Sequence, residues 1–220
     1  MMMNRKVGII GAGAVGASAA YALTLMGTCK EIVLFDVAPG VAQGKAIDIA
    51  QAGYYAPQDT IVTHVDIASD MKNCDIVVIT AGVPRKPGMT RADLLMINAK
   101  IMKDVVGNIV ENSPNAIIIC VSNPLDVMTY SIHKITGWDR NRIIGMAGAL
   151  DGSRMAYQIS KLTGMSKRQT GSLVIGDHGE NMIPLPEKVS VGDIPLNELI
   201  SKKDMEGIIE RTRFGGAEIV

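Results

Sequence analysis

The sequence is poor in aromatic residues and has no excess of either charge. Phe, Trp and Tyr make up 4% of its 220 residues, and 22 Lys and Arg are balanced by 22 Asp and Glu. Nucleic-acid-binding domains usually have a basic excess, and single-strand binders add aromatic side chains on which bases stack. Disordered chains combine low hydrophobicity with high net charge, whereas 47% of this chain is hydrophobic. We therefore expect a globular protein of one large domain, or one domain and part of another, that does not bind nucleic acid.

Cysteine and histidine are also scarce, with three of each. Cys29, Cys74 and Cys120 are far apart in the sequence, no CxxC pair occurs, and the histidines lack the spacing of metal ligands. These absences argue against a disulfide framework and a structural zinc site. We expect buried thiols in a reducing compartment and no bound metal.

The first long apolar stretch, Val7–Cys29, contains no charged residue and follows Arg5 and Lys6. Such a pattern can mark a secretory signal peptide or a membrane anchor. Five glycines interrupt the stretch, however, and it continues directly into the strand-like Glu31–Asp36. We favour a strand and a helix of a folded domain, with the signal peptide as the alternative, and expect a cytoplasmic, bacterial protein without a membrane segment.

Short runs rich in Val and Ile alternate with helix-length segments through the first two thirds of the chain. The predicted strands are Lys6–Ile10, Glu31–Phe35, Ile61–Val65, Asp75–Thr80, Ala116–Val121 and Arg142–Gly145. The predicted crossover helices are Ala14–Met26, Val41–Tyr55, Ala92–Asn112 and Leu125–Thr136. Strands without a polar face are typical of a parallel sheet that is covered on both sides. Their alternation with helices predicts an α/β fold with a doubly wound parallel sheet.

Near residue 150 this alternation ends. Asp151–Leu162 is a predicted helix, a region rich in Gly and Pro follows, and Asp204–Arg213 is amphipathic. We predict two domains, residues 1–149 and an α+β domain over residues 150–220. The sequence stops soon after a Gly-Gly pair without a cap or stop signal, which suggests that the second domain is incomplete.

A glycine motif lies between the first predicted strand and the first predicted helix. Gly11–Gly16 reads GAGAVG, which matches the pattern GxGxxG, and Asp36 follows the last glycine by 20 residues at the end of the next strand. Such glycines let the backbone approach a pyrophosphate at a helix N-terminus, and the carboxylate accepts hydrogen bonds from the adenosine ribose. The motif predicts a Rossmann-type domain that binds NAD, since Asp36 would repel the 2′-phosphate of NADP. Close packing of the strand and helix alone is the alternative.

Three further groups of residues have the chemistry of an active site. The loop Thr80–Arg91 carries three cations and could close over an anion, although a solvated surface turn would have the same composition. Asp151 and Arg154 share a helix face, where the arginine could grip a carboxylate or form an ordinary helix ion pair. His178 lies between glycines and beside acidic residues, a setting that suits proton transfer near neutral pH. A loop histidine without a role is the alternative.

Taken in order, these segments resemble the lactate/malate dehydrogenase family, and more closely its malate branch. The matching motifs are GAGAVG at Gly11–Gly16, TAGVPRKPGMTR at Thr80–Arg91, VSNPLD at Val121–Asp126, LDGSR at Leu150–Arg154 and IGDHGE at Ile175–Glu180. They run from one end of the chain nearly to the other, and five ordered motifs are far more specific than any one of them. The resemblance implies an NAD-dependent oxidoreductase that acts on a small hydroxy acid and assembles as a homodimer or homotetramer.

The resemblance also implies roles for individual residues. His178 would accept the proton of the substrate hydroxyl, and Asp151 would orient His178 and stabilise its imidazolium. Arg154 would hold the carboxylate next to the reacting carbon as a bidentate pair. Arg91 would polarise the substrate carbonyl as the loop closes, and Asn123, before a cis proline, would hydrogen-bond the substrate. The implied cofactor-binding residues are Gly11, Ala12, Gly13, Ala14, Val15, Gly16, Asp36, Asn98, Val121, Ser122 and Asn123.

Substrate choice depends on Arg85. The lactate enzymes of the family usually carry glutamine here, whereas arginine pairs with the distal carboxylate of malate or oxaloacetate. Enclosing this guanidinium without a partner would be costly, so we favour malate. The alternatives are a lactate or other 2-hydroxyacid dehydrogenase and, from a different class, a non-catalytic NAD-binding module.

Members of the family continue well past the length of this chain. The resemblance therefore implies that the sequence lacks one wall of the substrate pocket and a helix that covers the sheet. We expect the 220-residue chain to be unstable or inactive for that reason, because apolar surface would be exposed.

Overall fold

Six parallel strands form the sheet around which the first part of the protein is built. The computed structural model describes residues 5–83 and 88–216, apart from the side chains of Arg91 and Ala92. The strands are β1 (Lys6–Ile10), β2 (Glu31–Phe35), β3 (Ile61–Val65), β4 (Ile76–Ile79), β5 (Ile117–Cys120) and β6 (Ile143–Gly145). They lie in the order β3-β2-β1-β4-β5-β6, and every neighbouring pair is parallel. All carboxyl ends therefore meet at one edge, and the order reverses between β1 and β4, where such sheets bind their ligands.

Helices connect these strands on both faces of the sheet. They are α1 (Ala14–Met26), α2 (Val41–Ala52), α3 (Arg91–Asn112) and α4 (Leu125–Thr136). Helix α1 contacts α2, and α3 contacts α4. Because crossovers between parallel strands are right-handed, the reversal of strand order places these two pairs on opposite faces. The doubly wound, Rossmann-type sheet is confirmed, and Val7–Cys29 contributes β1 and α1 to it.

The core between the sheet and the first helix pair is aliphatic. Ile9, Ile32 and Leu34 are fully buried, and Ala20 of α1 and Ala46 of α2 pack against them. Small residues let the helices approach the sheet closely, and the branched side chains fill the remaining space. In β1 and β2 every residue after the first is buried, which explains why neither strand has a polar face.

The predicted elements of this region are confirmed, with differences at their ends. Strands β4 and β5 are each one residue shorter at both ends than predicted. Helix α2 ends at Ala52, and Gly53–Tyr55 forms a separate 3₁₀ turn instead of a last helical turn. Helix α3 begins at Arg91, one residue early, because the Thr90 hydroxyl accepts a hydrogen bond from the Asp93 N–H in a capping box.

The chain divides into two compact units, Met1–Gly145 and Met146–Val220. The second contains helices α5 (Gly148–Thr163), α6 (Leu196–Leu199) and α7 (Lys202–Phe214) and two antiparallel pairs, β7 (Val174–Ile175) with β8 (Ile183–Pro184) and β9 (Ser190–Val191) with β10 (Ile194–Pro195). Met155 and Ile159 of α5 pack with Val191, Leu196 and Ile208 in its core. None of the helices in the described residues is both long and apolar enough to cross a bilayer.

Both long helices of this second unit begin earlier than predicted. Helix α5 begins at Gly148, so the helix already includes the residues before Asp151. Helix α7 begins at Lys202, because the Ser201 hydroxyl accepts from the Asp204 N–H at 3.2 Å and donates to the Asp204 carboxylate at 2.6 Å. The start of α7 is thus set by a local side-chain cap.

Arg142 connects the segment before β6 to the segment before β5. Its Nε and Nη2 donate to the Ala116 carbonyl at 3.1 and 2.8 Å, and Nη2 also donates to the Pro114 carbonyl. The guanidinium lies 3.8 Å from the centre of the Trp138 ring. One partly buried side chain therefore satisfies two backbone acceptors and stacks on an aromatic ring.

Replacing Arg142 should destabilise the first unit. We expect Arg142→Met to lower the free energy of unfolding by about 1–3 kcal/mol, because charged donors to two carbonyls are lost. Arg142→Lys should lose less, since an ammonium can still donate to one carbonyl. Urea unfolding followed by tryptophan fluorescence measures the change, and Arg140→Met, at an exposed position, is the matched control. Equal stability of the Arg142→Met and Arg140→Met variants would contradict this role.

Candidate active site

A cavity of about 570 Å³ lies beside the carboxyl ends of β1, β2 and β4. The glycine loop after β1, the residues around Asp36 after β2 and Thr80–Val83 after β4 form its walls. Ile101 and Val105 of α3 add an apolar side. Its size is within the range of small-molecule and cofactor sites. The predicted cofactor residues on its lining are Gly11, Gly13, Ala14, Val15 and Asp36.

Glycine is present at the three positions of the motif for different structural reasons. Gly11 has a φ of +99°, and a Cβ there would lie 2.7 Å from the Thr80 hydroxyl oxygen. A Cβ on Gly16 would overlap the Gly11 carbonyl oxygen. A Cβ on Gly13 would meet no described protein atom within 4 Å. The first and third glycines are therefore required by the protein itself, whereas the second leaves open space at the start of α1.

The Asp36 carboxylate, which lines the cavity, is held by two backbone N–H groups. Its Oδ2 accepts from the Ala12 N–H at 2.7 Å, and its Oδ1 accepts from the Ala38 N–H at 2.9 Å. Each carboxylate oxygen can accept more than one hydrogen bond, so the side chain can still accept from a ribose hydroxyl. The predicted ribose ligand therefore also holds the loop that contains Ala12.

These residues fit a dinucleotide. Helix α1 has Gly13 as its N-cap and no side-chain cap, so its first N–H groups are available to an anion, and the helix dipole favours negative charge there. The open space at Gly13 is where a pyrophosphate could approach the backbone. Asp36 places a carboxylate in the lining of the cavity at the end of β2, as the predicted ribose contact requires.

Asn98, 2% exposed, connects the loops after β4 and β5. Its Oδ1 accepts from the Val83 N–H at 2.9 Å, and its Nδ2 donates to the carbonyls of Asn123 at 3.0 Å and of Val83 at 3.4 Å. The amide is thus engaged with backbone groups of both loops. In this structure Asn98 fixes the positions of Val83 and Asn123 and does not itself line the cavity.

The segment after β5 continues the sheet before it turns. The Val121 N–H donates to the Ile79 carbonyl at 2.9 Å, and the Ser122 hydroxyl donates to the Ala81 carbonyl at 2.6 Å. Asn123 follows with an exposed side chain. The Asn123–Pro124 peptide bond is cis, as the resemblance implies.

Two predicted substrate residues follow β4, one before α3 and one at its start. Arg85 lies outside the described residues. Arg91 is the first residue of α3, but its side chain is not among those that the structure describes. The hydroxyl and the N–H of Thr90 both donate to Asp93 Oδ2, at 2.7 and 3.0 Å. These bonds, that of the hydroxyl foremost, hold the pKa of the Asp93 carboxyl below its usual value. The helix start that carries Arg91 is therefore fixed by two neighbouring side chains.

Asp151 of α5 is 1% exposed, and its two oxygens have different partners. Oδ2 lies 2.8 Å from His178 Nδ1, and Oδ1 accepts from Arg154 Nη1 at 3.0 Å. The ion pair that the helix spacing allowed is present, and its buried carboxylate is shared with His178, while the Arg154 and His178 side chains are partly exposed. Because an ionised carboxylate can only accept, we assign the proton of the neutral imidazole to Nδ1. Nε2 is then the ring nitrogen that can accept a proton.

Two buried polar atoms near this pair have no hydrogen-bond partner among the described residues. They are Arg154 Nε and Asp177 Oδ1. Within the described residues, one Arg154 nitrogen, Nη1, is bound to Asp151, and another, Nε, is buried without a hydrogen bond. The second unit thus combines a cation that can bind a carboxylate with a proton acceptor held by a buried aspartate.

Sequence reasoning did not single out the hydroxyl of Thr80. This hydroxyl lies 2.9 Å from the Gly11 carbonyl oxygen and 3.3 Å from that of Ile10. A threonine directly after an apolar strand was the available signal, but its contact with the glycine loop depends on the pairing of β1 with β4. In the described part of the chain, no group of three His, Cys, Asp or Glu could hold a metal ion.

Comparison with known proteins gives consistent matches along the chain. The family described as lactate/malate dehydrogenase, NAD binding domain, matches residues 5–145, and the lactate/malate dehydrogenase alpha/beta C-terminal domain matches residues 148–220. The chain is 51% identical to the malate dehydrogenase of Sulfurimonas denitrificans over 220 residues, which cover 100% of this chain and 69% of that protein. Other curated relatives at 44–47% identity carry the same name.

Solved structures of two named activities are similar to this fold. The malate dehydrogenase of Picrophilus torridus superimposes with a TM-score of 0.92 at 38% identity, over 99% of this chain and 69% of that one. The lactate dehydrogenase of Eimeria maxima with NADH and oxamate gives 0.90 at 35% identity, over 100% and 69%. The fold alone therefore does not separate the two activities.

The different surroundings of Gly13 and Gly16 predict different effects of the same substitution. Gly16→Ala should lower the melting temperature of the unliganded protein, because the new Cβ overlaps the Gly11 carbonyl oxygen. Gly13→Ala should leave that temperature within about 2 °C, a shift typical of a change below 0.5 kcal/mol. It should nevertheless weaken NADH binding, because the methyl enters the space left for the ligand. Calorimetry and NADH fluorescence titration measure these effects, and NADH affinity unaffected by Gly13→Ala would contradict the placement of the pyrophosphate.

Proposed function

The chain belongs to the lactate/malate dehydrogenase family, and from that membership we propose that it is a malate dehydrogenase, which oxidises (S)-malate reversibly to oxaloacetate with NAD. The observation that carries catalysis is the buried Asp151 carboxylate between His178 and Arg154. A module that only binds NAD needs none of these three residues. The relatives at up to 51% identity, named malate dehydrogenase, support the choice of substrate.

Cofactor binding falls to the first unit. The open space at Gly13, the uncapped start of α1 and the Asp36 carboxylate support NAD. When bound, NAD supplies the hydride acceptor for malate oxidation, and NADH supplies the hydride in the reverse direction. We propose that residues 1–149 form the NAD-binding domain and that residues 150–220 contribute the proton acceptor His178 and its partner Asp151.

In malate oxidation, His178 Nε2 takes the proton of the substrate hydroxyl as the C–H bond gives up its hydride. Asp151 holds Nδ1–H at 2.8 Å, so the imidazole keeps the required tautomer and its developing positive charge faces a carboxylate. Arg154 binds the substrate carboxylate next to the reacting carbon through donors that Asp151 does not use. In oxaloacetate reduction the same His178 returns the proton to the carbonyl oxygen.

The family resemblance also gives roles in substrate binding to residues of the first unit. Arg91 polarises the substrate carbonyl, and Asn123 donates a hydrogen bond to the substrate. Arg85 pairs with the distal carboxylate and so favours malate over lactate. Asn98, Val121 and Ser122 fix the backbone of Asn123 beside the cofactor. We propose these roles because every one of these residues except Asn98 occupies the matching position of a motif that the family shares, and Asn98 contacts the backbone of Val83 and Asn123.

The cellular compartment is proposed from the state of the three thiols. Cys29, Cys74 and Cys120 are free and buried, and burial raises the pKa of each thiol. Such thiols resist oxidation and suit a reducing compartment, so we propose the cytoplasm. The proposed reaction of malate and oxaloacetate would give the protein a place in the tricarboxylic acid cycle.

We also propose that the protein assembles as a homodimer or homotetramer through α2. Tyr54 and Tyr55, which follow this helix, are 85% and 87% exposed, which supports such an interface.

The oxidation of NADH, followed at 340 nm, tests the proposed reaction. Oxaloacetate and pyruvate are compared as substrates for the 220-residue chain and for a form extended by any coding sequence that follows Val220. Turnover with oxaloacetate by either form supports the proposal. Faster turnover with pyruvate would favour a lactate dehydrogenase, and NADH binding without turnover by both forms would favour a non-catalytic module.

Arg85 should decide which of these substrates is preferred. Arg85→Gln should lower kcat/KM for oxaloacetate and raise it for pyruvate. The neutral glutamine that replaces the guanidinium does not require a second substrate carboxylate as a partner. A change in the ratio of about 100-fold or more corresponds to losing one buried ion pair. Lys86→Gln, one residue away in the same loop, is the matched control. An unchanged ratio in Arg85→Gln would remove Arg85 from the specificity site.

Asp151 should be needed for chemistry and not for cofactor binding. Asp151→Asn offers one acceptor oxygen where His178 and Arg154 each require one, and it carries no charge to stabilise an imidazolium. We expect kcat to fall by roughly 10²- to 10⁴-fold. NADH affinity should stay within about twofold, since the variant leaves the cavity residues unchanged. Stopped-flow turnover and NADH titration measure both effects, and a parallel fall in NADH affinity would indicate a general structural defect instead.

A further inference from the structure

One peptide group of the glycine loop is held from both sides by side chains of neighbouring strands. The Gly11 carbonyl accepts from the Thr80 hydroxyl at 2.9 Å, and the N–H of the same peptide group, that of Ala12, donates to Asp36 Oδ2 at 2.7 Å. Asp36 follows β2 and Thr80 follows β4, and these two strands flank β1 on either side. The peptide group between residues 11 and 12 therefore has a fixed plane.

Without these contacts the peptide group could take several orientations, because the neighbouring residues are glycines. Gly11 has a φ of +99°, and glycine has more backbone freedom than any other residue. Gly13, two residues later, has no side chain to pack. A loop of this composition would otherwise occupy several conformations, and each must be lost when a ligand binds. Fixing one peptide plane sets the direction in which the chain enters α1.

From this geometry we propose that Thr80 is a positioning residue for the dinucleotide. Its hydroxyl, together with the Asp36 carboxylate, orients the loop so that the N–H groups at the start of α1 meet the pyrophosphate. Thr80 acts through the loop backbone and does not itself donate a hydrogen bond to the cofactor. The proposal rests on NAD as the cofactor and concerns how its binding site is held in place.

The two required glycines fit this role of Thr80. A Cβ on Gly11 would lie 2.7 Å from Thr80 Oγ1, and a Cβ on Gly16 would lie 2.9 Å from the same atom. The threonine hydroxyl therefore occupies the space that both glycines leave. The GxGxxG motif and Thr80 form one packing unit, although 64 residues of chain separate Gly16 from Thr80.

Thr80 is a better test than Asp36, because Asp36 is also the proposed ribose ligand. Thr80→Val keeps the branched shape of the side chain and removes the hydroxyl that lies 2.9 Å from the Gly11 carbonyl oxygen and 3.3 Å from that of Ile10. Thr80→Ser keeps the donor and removes a methyl group. Thr60→Val is the matched control: the Thr60 hydroxyl also donates to a backbone carbonyl, that of Cys29, at 2.9 Å, but Thr60 does not line the cavity.

Affinities for NADH, ADP and adenosine are measured for the wild-type chain and these three variants, NADH by fluorescence and the other two by competition. Thr80→Val should bind NADH and ADP about five- to thirty-fold more weakly, the range expected when one peptide carbonyl loses its donor. Its affinity for adenosine, which has no phosphate, should stay within about twofold. Thr80→Ser should bind NADH within about threefold of wild type, and Thr60→Val should bind it unchanged.

Melting temperatures of the unliganded proteins complete the test. Thr80→Val and Thr60→Val should both melt slightly below wild type, since each loses a similar hydrogen bond, but only Thr80→Val should lose phosphate-dependent affinity. Unchanged NADH and ADP binding by Thr80→Val would overturn the proposal, and so would an equal loss of adenosine binding, which would indicate a distorted cavity. If the wild-type chain bound no NADH, the cofactor assignment would fail with it. NADH binding without reduction of oxaloacetate, by both this chain and the form extended past Val220, would refute the proposed reaction and still decide the role of Thr80.

Discussion

The parallel arrangement of the sheet is the constraint on which the cofactor site depends. Because all six strands run the same way, every loop that follows a strand leaves from one edge. At that edge the backbone groups of each strand end must find partners. The Gly11 N–H donates to the Phe35 carbonyl and the Thr80 N–H to the Ile10 carbonyl, at 2.8 and 2.9 Å. The ends of β2, β1 and β4 are thus tied together before any side chain contributes, and the cavity forms where the strand order reverses.

A second constraint acts on the catalytic residues. A buried carboxylate is stable only when its charge is compensated and its oxygens are hydrogen-bonded. Asp151 meets this requirement with one partner for each oxygen, Arg154 and His178. The proposed substrate-binding cation and the proposed proton acceptor therefore share one carboxylate, and neither can be replaced without leaving part of Asp151 unpaired. Removing one partner of such a buried pair typically costs about 3–5 kcal/mol.

Features with a local signal were predictable from the sequence. The strands and helices of the first unit follow from apolar runs and their alternation with longer segments, and the cofactor motif follows from glycine spacing. His178, Asp151 and Arg154 were singled out from the sequence, and the structure brings them into contact; their catalytic roles stay a prediction. The helix starts at Arg91 and Lys202 were missed by one or two residues, because Thr90 and Ser201 act as caps and such caps decide only the last residue or two of a helix.

Hydrogen bonds between distant loops were beyond sequence reasoning. Asn98 holds Val83 and Asn123, and Arg142 holds Ala116 and Pro114. In each case the partner is a backbone group, which has no residue-specific signature, and the contact exists only once the strands are paired. The same is true of Thr80 and Gly11. A pattern can show that a side chain has a suitable donor, but strand order and register decide which carbonyl it reaches.

The position of Asp36 links cofactor choice to loop structure. In the proposed role its negative charge would repel a 2′-phosphate and so favour NAD over NADP, while its two oxygens accept from the Ala12 and Ala38 N–H groups. A smaller neutral residue would relieve the repulsion but could not reach both donors. Asparagine would keep one acceptor and turn an amide donor toward the other N–H. Any route to NADP at this site must therefore supply a new acceptor for the loop as well as a cation for the phosphate, since charge and loop geometry depend on the same two atoms.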